Sequence, residues 1–138
     1  MHIRTDPLRW LLRVAAILAV AFGALTIKSG GAVLAGAEAA RAAGQIVPFV
    51  LWFNFIAGFV YVAAGVGLWF RRGWAAWLAV GLAVATLATF TAFGVHVATG
   101  GGYETRTVWA MTLRSAVWVV IAALACRTLG CRRRAASM

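Results

Sequence analysis

Acidic residues are nearly missing from this chain: Asp6, Glu38 and Glu104 are the whole supply in 138 residues. No carboxylate pair suited to acid–base work is present, and neither is a Ser/His/Asp set or a glycine-rich nucleotide loop. Two histidines (His2 and His96) and two cysteines (Cys126 and Cys131) give no Cys/His metal spacing, so no metal site is expected. Charged residues make up 12% of the chain, against ~25% in an average soluble domain. These shortages exclude familiar soluble catalytic machinery and leave no catalytic residue to name.

What fills the space is apolar. Four long runs, residues 8–27, 46–70, 74–97 and 108–126, account for most of the sequence. Each matches the ~17–25 residues that carry a helix across a bilayer. The prediction is an all-α integral membrane four-helix bundle. It forms one domain over 1–138, has an outer loop at 28–45, and has the lipid bilayer as its first partner.

Lys and Arg number 13, and the formal charge is +10. In a soluble protein that excess suggests nucleic acid. Here the charges fall at the ends of the apolar runs, so nucleic-acid binding is excluded in favour of topology. Arg4, Arg9, Arg13, Arg71, Arg72, Arg127, Arg132, Arg133 and Arg134 fall on one side. Lys28, Arg41 and Arg106 fall on the other, and Arg114 lies inside the fourth run. The bias predicts a multi-pass inner-membrane protein with both termini cytoplasmic. The N-terminal arginines, the apolar stretch and Ala35, Gly36 and Ala37 also resemble a signal peptide. The run is long, however, and Lys28 and two glycines separate it from that site, which favours a retained first span. Cys126 and Cys131 fall at the cytoplasmic end, where thiols stay reduced, so free thiols are expected rather than a disulfide.

Lipid gives helices no hydrophobic reason to associate, so small residues mark where they approach. Ala15, Ala19 and Gly23 form one stripe; Ala75, Ala79 and Ala83 form another; Ala63 and Gly67 are in register. Trp10, Trp69, Phe70, Trp74 and Trp77 mark one interface level, and Phe49, Trp52, Phe53 and Trp109 the other. Pro48 suits a first helical turn. The alanine-rich stretch 32–43, with Glu38 three residues before Arg41, fits a short surface helix and equally a flexible low-complexity linker, punctuated either way by Gly30, Gly31 and Gly44.

The polar residues of interest all fall in the outer half. Asn54 lies about 12 Å along the second helix at 1.5 Å per residue, and Tyr61, seven residues on, shares its face. His96 ends the third helix. Arg114 lies roughly 9–10 Å into the fourth, where a charge costs ~2.5–3.5 kcal/mol and is usually paired or functional. Asp6 is on the wrong side, so only Glu104 or Glu38 can neutralise it. Glu104 is about 15 Å away along a continuous helix. Pairing therefore requires Gly100, Gly101 and Gly102 to fold the segment back. Otherwise Arg114 snorkels, or meets helix carbonyls, Asn54 or an anionic ligand. His96 has no facing histidine for bis-histidine haem, and a hydrogen bond or proton relay to Glu104 is the better expectation. Asn54, Tyr61, His96, Glu104 and Arg114 thus form a candidate outer ligand pocket.

Leu11, Leu12 and Arg13 opening the first helix, Phe22 and Gly23 leading to Lys28, and Gly58 with Gly65, Val66, Gly67 and Leu68 before a basic turn carry a likeness. In these features the chain resembles the DoxX-like group of small bacterial four-helix membrane proteins, over about its first two-thirds. The resemblance implies a link to membrane redox complexes, including thiosulfate-to-quinone electron transfer. The acid often found in that group's second helix is replaced here by Asn54, so no catalytic residue is carried over. The leading expectation is an accessory subunit or partner in a membrane assembly, with another membrane protein or further copies of itself as the partner. A quinone-linked redox component, with quinone as its only cofactor candidate, comes second. A small-solute transporter comes last, because the inner half offers few polar residues.

Overall fold

The computed structural model describes residues 6–131. Five helices follow in order: α1 (Pro7–Ala35), α2 (Ala37–Ala43), α3 (Pro48–Trp69), α4 (Gly73–Ala98) and α5 (Thr105–Leu129). All but α2 are long and apolar enough to cross a membrane. Among the described residues there is no strand. Internal backbone hydrogen bonding is what a hydrocarbon solvent demands, and helices supply it within each segment.

Local chemistry sets the helix ends. Pro7 and Pro48 occupy first-turn positions, where a missing N–H leaves no bond unmade. α3 ends with Arg71 in the left-handed region at φ 56°. The Arg71 N–H donates to the Leu68 carbonyl and the Arg72 N–H to the Gly67 carbonyl, closing a Schellman-type cap. That cap reverses the chain in a few residues and sets α4 antiparallel to α3.

The helices pair unequally. α1 packs most extensively on α3 and α4 on α5; α3 and α4 join the two pairs, and the α1–α5 seam is looser. The α1–α3 contact is backbone against backbone. A Cβ on Gly23 would lie 2.7 Å from the Gly58 carbonyl oxygen and 2.8 Å from a Val62 methyl carbon. Ala15, Ala16 and Ala19 of α1 and Ala57, Tyr61, Ala64 and Leu68 of α3 are buried along this line. The stripes on α1 and α4 therefore face the core as expected. Ala63 is instead exposed, and in α3 the small inward residues are Ala57, Gly58, Ala64, Gly65 and Gly67.

The structure revises three other expectations. α1 does not stop near residue 27 but continues through Gly30 and Gly31 to Ala35, and the break falls at Gly36. Gly30 is buried against Phe55, where a Cβ would sit 3.3 Å away, so packing holds a helix that glycine propensity alone would weaken. α5 begins at Thr105 with Glu104 as its N-cap residue, three positions earlier than the apolar run. Finally, Cys126 and Cys131 form a disulfide. Gly130, at φ 79°, turns the chain back over the last turn of α5 and brings the two Cα atoms to 4.7 Å. The compartment argument for free thiols overlooked that local reversal. His2, Arg4 and Arg132 to Arg134 lie outside the described residues.

Exposed Trp10, Trp69, Phe70, Trp74 and Trp77 ring the end that carries Arg13, Arg71 and Arg72, here called the basic end. Phe49, Trp52 and Trp109 are exposed towards the other end.

Gly23→Leu is expected to force α1 off α3 and cost ~1–3 kcal/mol by overpacking. Thermal denaturation of the purified protein in detergent will show this as a lowered midpoint. Gly81→Ala, where a Cβ meets nothing within 4 Å, serves as the control and should not lower it.

Candidate functional site

Arg114 sits on the inward face of α5, in line with Met111, Trp118 and Ala122, and is 7% exposed. Its Nη2 donates to the Thr26 hydroxyl of α1 at 3.3 Å, and its Nη1 points to the Met111 sulfur at 3.7 Å. The guanidinium carbon lies 5.3 Å from the Phe22 ring centre and 6.0 Å from that of Tyr61, within cation–π range of both. Its Nε is buried without a partner.

No carboxylate neutralises this charge. Among the described residues, which include all three acids, the sole ion pair within 4 Å is Arg9–Asp6 at 3.7 Å. Glu104 instead accepts the Gln45 backbone N–H at 3.0 Å. The glycine segment does turn the chain, with Gly100 at φ 88°, but it delivers Glu104 to the loop before α3 rather than to Arg114.

Below the guanidinium lies a polar layer that the apolar sequence conceals. Tyr61 from α3, Thr86 from α4 and Trp118 from α5 each have 0% exposure. The Tyr61 ring lies 4.7 Å from Trp118 and stacks at 6.0 Å on Phe22. Thr86 and Trp118 are polar neighbours of the Tyr61 hydroxyl. Even so, the Tyr61 hydroxyl, the Thr86 hydroxyl and Trp118 Nε1 complete no well-formed hydrogen bond. Buried polar atoms in folded proteins are almost always satisfied, so this layer is a concentrated exception. Its chemistry leans towards donation: indole and guanidinium N–H groups only donate, while the two hydroxyls can both donate and accept. A group rich in lone pairs is what such a set accepts.

The five residues expected in one pocket are divided. Tyr61 and Arg114 come together in the core. His96 is half-buried near the far end of α4, with Nε2 3.2 Å from the Gly102 carbonyl rather than on Glu104. Asn54 lines a separate crevice of 130 Å³ with Gln45, Val47, Val50 and Thr107, and its Oδ1 is buried without a partner. Glu104 latches the loop beside that crevice. Sequence reasoning missed Phe22, Thr26, Thr86 and Trp118. Helical spacing held part of the signal: Trp118 is one turn from Arg114, and Thr26 is one turn from Phe22. Among the described residues no group of His, Cys, Asp and Glu is placed to hold a metal ion.

No family model matches the chain, and comparisons with curated proteins and with solved structures find no match.

Thr26→Val removes the oxygen that accepts from Arg114 and leaves the charge less satisfied. A loss of about 1–3 kcal/mol is expected, read as a lower melting midpoint in detergent. A midpoint equal to wild type would show that Thr26 does not hold the guanidinium.

Proposed function

We propose that this chain is a membrane-embedded binding subunit without catalytic apparatus of its own. Its ligand is an apolar molecule with hydrogen-bond-accepting oxygens, of the quinone class, received at Arg114. One observation supports this above all: Arg114 is buried with no carboxylate of the described residues beside it, and its Nε, itself a donor, has no partner. A carbonyl oxygen satisfies such donors without needing a second charge in the membrane, and aromatic faces at Phe22, Tyr61 and Trp118 suit a flat ring. A 350 Å³ apolar cavity opens between α1 and α5 over Leu18, Val117 and Ile121. Its walls are wholly apolar and face the lipid, which suits the isoprenoid or alkyl tail of such a ligand.

Membership of the DoxX-like group and service as an accessory subunit of a redox assembly belong to the same proposal. So do a bacterial inner-membrane location and cytoplasmic termini, which rest on the arginine bias. If the basic end is cytoplasmic, Cys126 and Cys131 stand there as a closely spaced pair whose redox state the compartment sets. The transporter reading gains no support: Leu12, Ala16, Leu68, Ala75 and Ala125 fill the core towards the basic end, with no polar path among them.

The test is equilibrium binding of a short-chain ubiquinone analogue to the full-length protein in detergent. Saturable binding is expected, weakened at least tenfold in Arg114→Leu, since a hydrogen bond from a charged donor contributes about 1.5–3 kcal/mol. Thr86→Val should weaken it less. Absence of saturation, or equal binding by Arg114→Leu, would overturn the reading.

A further inference from the structure

A second candidate site lies on the outside of the bundle, at the basic end. The Arg13 guanidinium carbon sits 5.7 Å from the centre of the Trp69 ring. Both side chains are exposed, and both stand where α1 enters and α3 leaves the bundle. Above them, between α1 and α3, runs a furrow of 300 Å³ walled by Ile17, Val20 and Ala21 on one side and Gly65, Val66 and Trp69 on the other. Trp69 therefore belongs to both features: it closes the bottom of the furrow and carries the arginine. Arg71 and Arg72 follow within three residues and are exposed.

Three properties narrow the occupant. The furrow's α1 wall runs only from Ala16 to Ala21, a rise of about 8 Å. That suits the upper part of one hydrocarbon chain and is short for a partner helix, which would track several turns. The rim is cationic: among the described residues the one acid at this end is Asp6, and it is engaged by Arg9 at 3.7 Å. Arg71 adds a charge at a left-handed position (φ 56°) where glycine would carry no Cβ penalty. Stacking on Trp69 restricts Arg13 before anything binds, which lowers the ordering cost of binding.

We propose that this furrow is a binding site for one anionic phospholipid. The phosphate of its headgroup lies on Arg13 with Arg71 and Arg72, and an acyl chain lies along the furrow between α1 and α3. The site does not depend on the quinone reading, because it shares no residue with the Arg114 layer and faces lipid rather than the core. Its recognition is electrostatic at the headgroup and non-specific along the tail.

The experiment is native mass spectrometry of the full-length protein from a neutral detergent, titrated with phosphatidylglycerol or with phosphatidylcholine of the same acyl chains. Wild type is expected to retain one phosphatidylglycerol several-fold better than phosphatidylcholine. Arg13→Gln should lose about fivefold in phosphatidylglycerol affinity, from roughly 1 kcal/mol per basic side chain at an anionic surface. Arg13→Lys should keep most of it. Ala21→Phe changes a lipid-exposed side chain, leaves the charges alone and should weaken retention of the lipid by filling the furrow. Arg127→Gln, an exposed arginine on α5, which does not wall the furrow, should stay within twofold of wild type. Equal retention of the two lipids by wild type would overturn the site. So would wild-type behaviour of both Arg13→Gln and Ala21→Phe, or an equal loss from Arg127→Gln and Arg13→Gln.

Discussion

The close approach of α1 to α3 is the contact on which the remaining geometry depends. In a bilayer two apolar helices gain little by leaving lipid for each other, so they must come near enough for their backbones to touch. Gly23 and Gly58 make that possible, each standing where the other helix leaves no space for a Cβ. The register they fix puts Phe22 against Tyr61 and brings Thr26 within reach of Arg114. The same register closes α1 on α3 at Gly65, where a Cβ would lie 2.6 Å from a Val20 methyl carbon, and a furrow runs along the lipid side of that contact. Core site and lipid site are two consequences of one helix pairing.

Arg114 is the counterweight to that economy of side chains. A charge in the membrane interior is costly, and the usual remedy is a carboxylate. The chain has three acids and spends none of them here: one pairs with Arg9, one fastens the loop before α3, and Glu38 lies on α2. Aromatic faces, a hydroxyl and a thioether take the place of a counter-ion. All are weak partners for a guanidinium, and together they leave Nε unmet. The site is consequently positive without a counter-ion among the described residues, which directs its chemistry towards electron-rich ligands.

The disulfide shows how local geometry and compartment are separate questions. Position near the basic end argued for reduced thiols, and that argument concerns the surroundings. The left-handed turn at Gly130 concerns the chain itself, and it places Cys131 over Cys126 whatever the surroundings do. Likewise the glycines at 30 and 31 read as punctuation in sequence, yet packing on Phe55 carries α1 past them.

Four helices, their approximate limits and the small-residue faces of α1 and α4 were determined by the sequence alone. Hydrocarbon thickness and backbone satisfaction leave few alternatives for apolar runs of this length. Arg114 was also conspicuous, since a charge amid apolar residues stands out without any coordinates. Its partners were not, because they come from three helices and mean nothing as polar residues until those helices are rotated towards one another. Thr26, Thr86 and Trp118 look ordinary in their own segments, and His96, Asn54 and Glu104 look related until the fold sends each to a different contact. Sequence periodicity sets which face of a helix is apolar. Which faces meet, and at what height, is decided only when backbones close on glycine and side chains compete for the same space.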